Sequence, residues 1–278
     1  MADLPKPKPK VLLLLPLLIL LLANMKVHSA DSTYFAFDTF EPYPSDLIYQ
    51  GDAHVPSGFS FLSLINTSSS GVPQPNSVGR VLYSPPVLFW DALRQATFDT
   101  TLIFNITPLP SKQVADGLAF FIAPVNTIIP VGAEPGNLGI YGTSGTVKSL
   151  FSVEYDVFVN FWDPSYTHVG ININSRNSSA VTKFDEGGLG QLVTANINYF
   201  PKTRKITVTT EYGSTNSTLS YVYHLKDILP QRVRVGVSAT TGASSLANFD
   251  LVSWYFSSTL IATANNDDNG EELIQQIV

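Results

Sequence analysis

The sequence predicts an all-β fold, an antiparallel sandwich or barrel in a single domain. Three observations carry that reading. Short runs that alternate apolar and polar residues recur along the chain, the period of a half-buried strand. Clusters of Gly, Pro, Asn and Ser separate the runs at short spacing, and the chain holds 18 Gly and 19 Pro. No helical stretch of ten to fifteen residues lies between runs, so parallel βαβ units have no place. The composition agrees. Only 14% of the 278 residues are charged and 44% are hydrophobic, which excludes bulk disorder and a heptad-rich helical protein. The chain has no Cys, which removes disulfide frameworks, Cys-ligated zinc, iron–sulfur clusters and thiol catalysis.

The elements follow in order. Residues 1–10 carry Lys6, Lys8 and Lys10, and residues 11–23 are almost pure Leu. Val27 and Ser29 are small residues placed for cleavage after Ser29, so residues 1–29 read as a secretory signal peptide. An apolar run of 13 residues is too short to span a bilayer, and no membrane span is expected. Cleavage removes four lysines and one aspartate, leaving 12 basic against 21 acidic residues, a net charge of −9. That balance argues against a nucleic-acid partner held by a basic face. Entry into the secretory pathway implies an extracellular or vacuolar (protein-body) address. It also gives meaning to the Asn-X-Ser/Thr triplets at Asn66, Asn105, Asn177 and Asn216. Asn66 and Asn216, in turn-like sequence, are the preferred glycan acceptors.

The domain is expected over residues 30–263. Alternating strands are read at Tyr34–Phe37, Leu102–Ile106, Leu118–Ile122, Phe151–Asp156, Val169–Ile173, Lys205–Thr210, Val233–Val237 and Val252–Phe256. A short helical turn fits His224–Leu229. Residues 264–278, opening Asn-Asn-Asp-Asp-Asn-Gly-Glu-Glu from Asn265, read as a tail, disordered or processed.

The segment from Val153 to Ser175 carries the chemistry. Glu154 and Asp156 stand two apart in a strand and share one face. Two carboxylates side by side repel unless a cation lies between them. Asp163 and His168 follow across a loop held by Pro164. His168 opens a strand in which Val169, Ile171 and Ile173 face one way, and His168, Gly170, Asn172 and Asn174 the other. If that strand lies beside the Glu154 strand, three carboxylates and one imidazole converge. That donor set suits Mn²⁺ or a similar divalent transition metal. Asn160 and the Phe158 carbonyl add neutral oxygens, which with Asp156 and Asp163 suit a second, harder ion, Ca²⁺. Taken alone, Glu154 and Asp156 would read as a solvated strand edge; the full set does not.

These residues resemble the legume lectins. The matching blocks are Gln50-Gly51-Asp52-Ala53, Ala115-Asp116-Gly117-Leu118-Ala119-Phe120-Phe121, the metal segment, and Val233-Arg234-Val235-Gly236 through Ser238-Ala239-Thr240-Thr241-Gly242 to Ser253-Trp254. The resemblance covers nearly all of the chain after residue 29. It implies a flattened jelly-roll sandwich, a single sugar site beside a Ca²⁺/Mn²⁺ pair, and assembly into homodimers or homotetramers. It further implies that Asp116, after a cis peptide, accepts from two sugar hydroxyls. Gly136 would offer a main-chain N–H. Asn160 would serve both calcium and sugar, and Phe158 would lay its ring on the sugar. Ala243 and Ser244 would add a main-chain contact, and Ser175 would approach the manganese through a water. A sugar offers paired hydroxyls and a C–H face, so a carboxylate, an amide, an N–H and one aromatic ring complement it. The function expected is metal-dependent, non-catalytic binding of glycans or glycoproteins. The Ala-Thr-Thr-Gly-Ala start of the loop before Ser253 leans toward mannose/glucose.

Four positions depart from the family pattern: Tyr155 for Phe, Val157 for Thr or Ser, Arg232 for Trp, and Asn137 for an aromatic. Other readings fit the residues less well, and a receptor kinase's outer domain fails for want of a membrane span and a kinase. A sandwich-fold glycoside hydrolase would need Glu-x-Asp-x-x-Glu, and Val159 stands where the second Glu belongs. A lectin-like seed defence protein with a weak or dead sugar site would lose metal ligands or trim loops, whereas Asp116, Asn160, Asp163 and His168 are all present.

Overall fold

The computed structural model describes residues 32–262. The expected leader (1–29) and tail (264–278) lie outside those residues. The described chain forms β1 (Ser32–Phe37), β2 (Leu47–Gly51), β3 (Leu62–Ser63), β4 (Val78–Tyr83), β5 (Val87–Leu88), β6 (Arg94–Pro108), β7 (Gly117–Pro124), β8 (Thr146–Asp156), β9 (His168–Ser175), β10 (Ala180–Lys183), β11 (Leu192–Phe200), β12 (Lys205–Tyr212), β13 (Thr215–Val222), β14 (Arg232–Thr240) and β15 (Ala247–Ala262). One sheet runs β1-β15-β6-β11-β12-β13, with β3 on β15. The other runs β10-β9-β8-β7-β14-β4-β2, with β5 on β14. All strand pairs are antiparallel, so the predicted sandwich is the fold observed. The expected helical turn is a short 3₁₀ turn, Leu225–Asp227.

The alternation read in the sequence sorts residues between the two faces of each sheet. On β8, Phe151, Val153 and Tyr155 enter the core between the sheets, leaving Ser152, Glu154 and Asp156 on the outer face. On β6, Phe98, Leu102, Phe104 and Ile106 do the same. Trp254 is fully buried at the centre; its indole N–H donates to Thr100 Oγ1 at 3.1 Å and Phe35 packs edge-on at 4.8 Å. Burying a side chain of this size contributes about 1.5–3 kcal/mol.

Strand β7 does not alternate, because it is buried on both faces. Leu118, Phe120 and Ile122 enter the core between the sheets. Ala119, Phe121 and Ala123 pack instead with Leu82, Leu138, Ile140, Tyr141 and Leu150 on the opposite face. Three of those partners come from residues 125–145, a segment without regular structure that covers the sheet. Seven strands escaped the sequence reading: β2, β3, β4, β5, β10, β11 and β13. Three of them are only two to four residues long, and the edge strand β13 has a single buried residue, Leu219. Asn216, read as part of a turn, lies in β13, and Asn105 lies in the middle of β6. Asn66 and Asn177 are exposed outside the strands.

Candidate functional site

The register of β8 on β9 assembles the charged groups. Asp156 stands opposite His168, Glu154 opposite Gly170 and Ser152 opposite Asn172. The two strands are adjacent, as the sequence reading required. Asp156, Asp163 and His168 offer ligand atoms that all lie within 4.8 Å of one another. Glu154 stands just outside this tight group and touches it, with Oε1 3.3 Å from His168 Nε2. Its Oε1 also accepts from Asn172 Nδ2 at 3.1 Å and Ser178 Oγ at 2.5 Å. Gly170 makes this meeting possible. A Cβ there would fall 2.2 Å from Ser178 Oγ and 2.7 Å from Glu154 Oε1.

The loop between β8 and β9 is tied back onto the carboxylates. Asp156 Oδ1 accepts from the Phe158 N–H at 2.9 Å, and Asp163 Oδ2 from the Asn160 N–H at 2.7 Å. Asn160 Oδ1 is buried without a hydrogen-bond partner. Gly136 comes against it: a Cβ at Gly136 would lie 2.8 Å from Asn160 Oδ1, so any larger residue would have to push the Asn160 side chain aside.

Asp116 lies on the other side, immediately before β7. The Ala115–Asp116 peptide is cis. The Asp116 N–H donates to Thr240 O, and its carbonyl accepts from the Val157 N–H, both at 2.9 Å. Its Oδ2 is buried with no partner. The turn that carries Ala243 and Ser244 is closed by the Gly242 N–H on Ser245 O and adjoins this carboxylate; a Cβ on Gly242 would lie 3.5 Å from Asp116 Oδ2. Ala243 and Ser244 are exposed. Ser175, expected near the transition metal, accepts from the Asn177 N–H through Oγ, while Ser178 holds the contact with Glu154 and His168.

Sequence reasoning also missed Trp162 and Arg176. The Arg176 guanidinium lies 3.5 Å from the Trp162 ring centroid and donates to Asn137 Oδ1 at 3.0 Å. Asn137 in turn donates to Gly132 O at 2.8 Å. The departure at Asn137 is therefore part of a brace between the Gly136 segment and the metal loop. Tyr155 and Val157 both enter the core, where the Tyr155 hydroxyl bonds Thr210 Oγ1 at 2.8 Å. Arg232 is exposed at the start of β14.

The electrostatics show what this arrangement lacks. Burial pushes the Asp156 carboxyl well above the usual carboxylate range, and the nearby Glu154 and Asp163 push it further. Burial also raises Asp163 to about 6, against the opposing pull of the Asn160 N–H, His168 and Arg176. Asp116 is raised to about 7 by burial alone. Buried carboxylates crowded at one place, beside a buried amide oxygen without a donor, form the environment that a divalent cation relieves. The oxygens with one imidazole fit the expected pair of ions.

A family model described as the legume lectin domain matches residues 32–272. The chain belongs to the legume lectin family. It is 42% identical over 252 residues to agglutinin-2 of Cladrastis kentukea, covering 87% of this chain and 86% of that protein. It is 36% identical over 249 residues to a mannose/glucose-specific lectin of Centrolobium tomentosum, covering 86% of this chain and all of that one. Among solved structures it matches the winged bean acidic lectin complexed with methyl-α-D-galactose, with a TM-score of 0.76 and 35% identity, over 83% of this chain and 99% of that one. The chain is thus a carbohydrate-binding lectin and not a glycoside hydrolase, and its sandwich is the family's jelly roll.

Proposed function

We propose that this lectin binds a sugar, in a metal-dependent manner, where Asp116, Gly136, Phe158, Asn160 and the Ala243–Ser244 turn meet. One observation carries the reading. Asp116 Oδ2 and Asn160 Oδ1, from two different loops, are both buried without partners. A buried acceptor left unpaired costs about 1–3 kcal/mol, so the site gains when a donor or cation satisfies it. Asp116 supplies the acceptor for paired hydroxyls, Gly136 a main-chain N–H, and Phe158 an apolar plate. Glu154, Asp156, Asp163 and His168 would hold a transition metal such as Mn²⁺, with Ser175 near it through a water. Asp156, the Phe158 carbonyl, Asn160 and Asp163 would hold Ca²⁺. The ions would supply the positive charge that lets the crowded carboxylates stay ionised and keeps the loop of Phe158 and Asn160 in place.

The start of the specificity loop, from Ala239 to Ala243, supports mannose/glucose, and galactose is the competing sugar, given the winged bean lectin's bound ligand. The reading includes secretion after loss of residues 1–29, glycans on the exposed Asn66, Asn216 and Asn177 before the half-buried Asn105, and a homodimer or homotetramer. A glycan array probed with and without EDTA tests the core of it. Metal-dependent signal on mannose/glucose glycans is expected; signal on galactose glycans alone would reverse the specificity. Signal indifferent to EDTA would remove the metal dependence, and no signal at all would favour the defence-protein reading.

A further inference from the structure

The second apolar core, between the outer face of β7 and residues 125–145, is not closed. A cavity of about 270 Å³ opens at its edge. Ala123, Ile140 and Leu150 bring the apolar surface of that core to its wall, and Ile128 and Pro130 of the covering segment add to it. Ile128 is 72% exposed, and Val131, next to Pro130, is 92% exposed, so apolar surface is left bare beside an apolar cavity. None of the residues assigned to sugar or metals lines this space.

The charges around the cavity have one sign. Arg80 of β4 and Lys148 of β8 line it, and no Asp or Glu does. Arg80 is buried, and every acceptor it reaches is neutral. Its Nη1 donates to Ile128 O at 3.0 Å and Gly139 O at 3.3 Å, and its Nη2 to Thr127 Oγ1 at 3.0 Å. Its Cζ lies 4.6 Å from the Phe121 ring centroid. Its Nε–H is closed off from solvent and has no partner. Burial lowers the guanidinium to about 10, and no carboxylate opposes that pull. Among the described residues, Arg80 is thus a buried cation supported by dipoles and a ring but neutralised by no counter-ion. Lys148 is exposed. The remaining polar lining residues, Asn126 and Thr127, are uncharged. The Thr127 hydroxyl accepts from Arg80 and keeps its own proton to donate.

Each part selects a ligand property. Two cations with no acid beside them favour an anion and oppose an ammonium. Apolar walls and the bare Ile128 call for an apolar body, which a small hydrated anion such as phosphate lacks. The volume limits that body to a short one. With its donors largely spent on carbonyls and Thr127, Arg80 contributes charge, while Lys148 and the Thr127 hydroxyl supply hydrogen bonds. We infer that this cavity is a second ligand site, independent of the sugar site, for a carboxylate carried on a short apolar chain, of the medium-chain fatty-acid class.

Calorimetric titration with octanoate at pH 7.4 tests this, with octylamine as the chain-matched cation and acetate as the chainless anion. One saturable octanoate site per chain is expected, unaffected by saturating methyl α-mannoside or methyl α-galactoside and retained in Asp116→Ala. Octylamine should bind at least tenfold more weakly, and acetate should give no saturable heat. Lys148→Glu and Ile128→Asp should each weaken octanoate at least tenfold, and Arg80→Met should abolish its binding. Lys148 and Ile128 are exposed, so those two variants report on the site even if Arg80→Met fails to fold. Absence of saturable octanoate binding, equal binding of octylamine, displacement by either sugar, or an unchanged affinity in Lys148→Glu and Ile128→Asp would overturn the inference. Because the sugar arms and Asp116→Ala are read in parallel, failure here is distinguishable from failure of the sugar-site reading.

Discussion

On the proposed reading, sugar recognition turns on Asp116. Each hydrogen bond to an ionised carboxylate contributes about 1.5–3 kcal/mol, so Asp116→Ala should weaken sugar binding about 100-fold or more. The same variant should keep its metal content and its circular dichroism spectrum, and unchanged haemagglutination would remove Asp116 from the site. Tyr155→Phe makes a different demand. It deletes the bond to Thr210 inside the core and should lower unfolding stability by about 1 kcal/mol in a denaturant titration, with sugar affinity unaltered. Asp250 gives the pH prediction. Its carboxyl is held at about 6, above an unfolded value near 4, so the folded state takes up the proton more readily. The fold therefore gains stability as pH falls from above 6 toward 4 and loses it again as pH rises through 6, by up to roughly 3 kcal/mol. Denaturant midpoints of Asp250→Asn should lack this component across pH 4–7; a curve parallel to that of the parent protein would contradict it. At this scale the sequence was informative where spacing alone decides. Glu154 and Asp156 had to share a face because they stand two apart. Ser178 and Arg176 were not legible, since their contacts depend on how the turn between β9 and β10 folds back over Glu154 and Trp162.

At the scale of elements, the site depends on the pairing of β8 with β9. Gly170 permits that pairing to bring Glu154 against Ser178 and His168. Gly170→Ala should therefore lower transition-metal affinity 10- to 100-fold, the usual cost of disturbing the groups that orient metal ligands, with a smaller effect on the melting temperature. Equal metal affinity in a titration of the stripped variant would show that the contact at Gly170 does not matter. The candidate metal loop stands out in the sequence because all its proposed donors fall within fifteen residues. Strand β7 was recognised as a strand, but its second buried face was not. That face exists because residues 125–145 lie across it, and a segment with no periodicity gives no sign of where it will pack. The same segment carries Gly136, whose proposed role comes from family resemblance and whose close approach to Asn160 Oδ1 only the structure shows.

For the whole molecule, the sandwich and the site are separable. The core between the sheets is built from aliphatic and aromatic residues, such as Leu102, Phe104, Val153 and Trp254, none of which is a proposed ligand. Order within the sheets could not be read from the chain: β15 lies between β1 and β6, and β14 between β7 and β4, pairings that join residues far apart in sequence. The period-two pattern announced two-faced strands but not their neighbours. On the proposed reading, cations hold the loop of Phe158 and Asn160 in its sugar-binding position while the sandwich stands without them. The most direct measurement is sugar affinity by calorimetry on EDTA-stripped, dialysed protein, before and after return of Ca²⁺ and Mn²⁺, with circular dichroism alongside. The stripped protein should give no saturable heat, recover binding only with both ions, and keep an unchanged β spectrum throughout. Stripped protein that binds sugar as tightly as the metal-loaded form would contradict it.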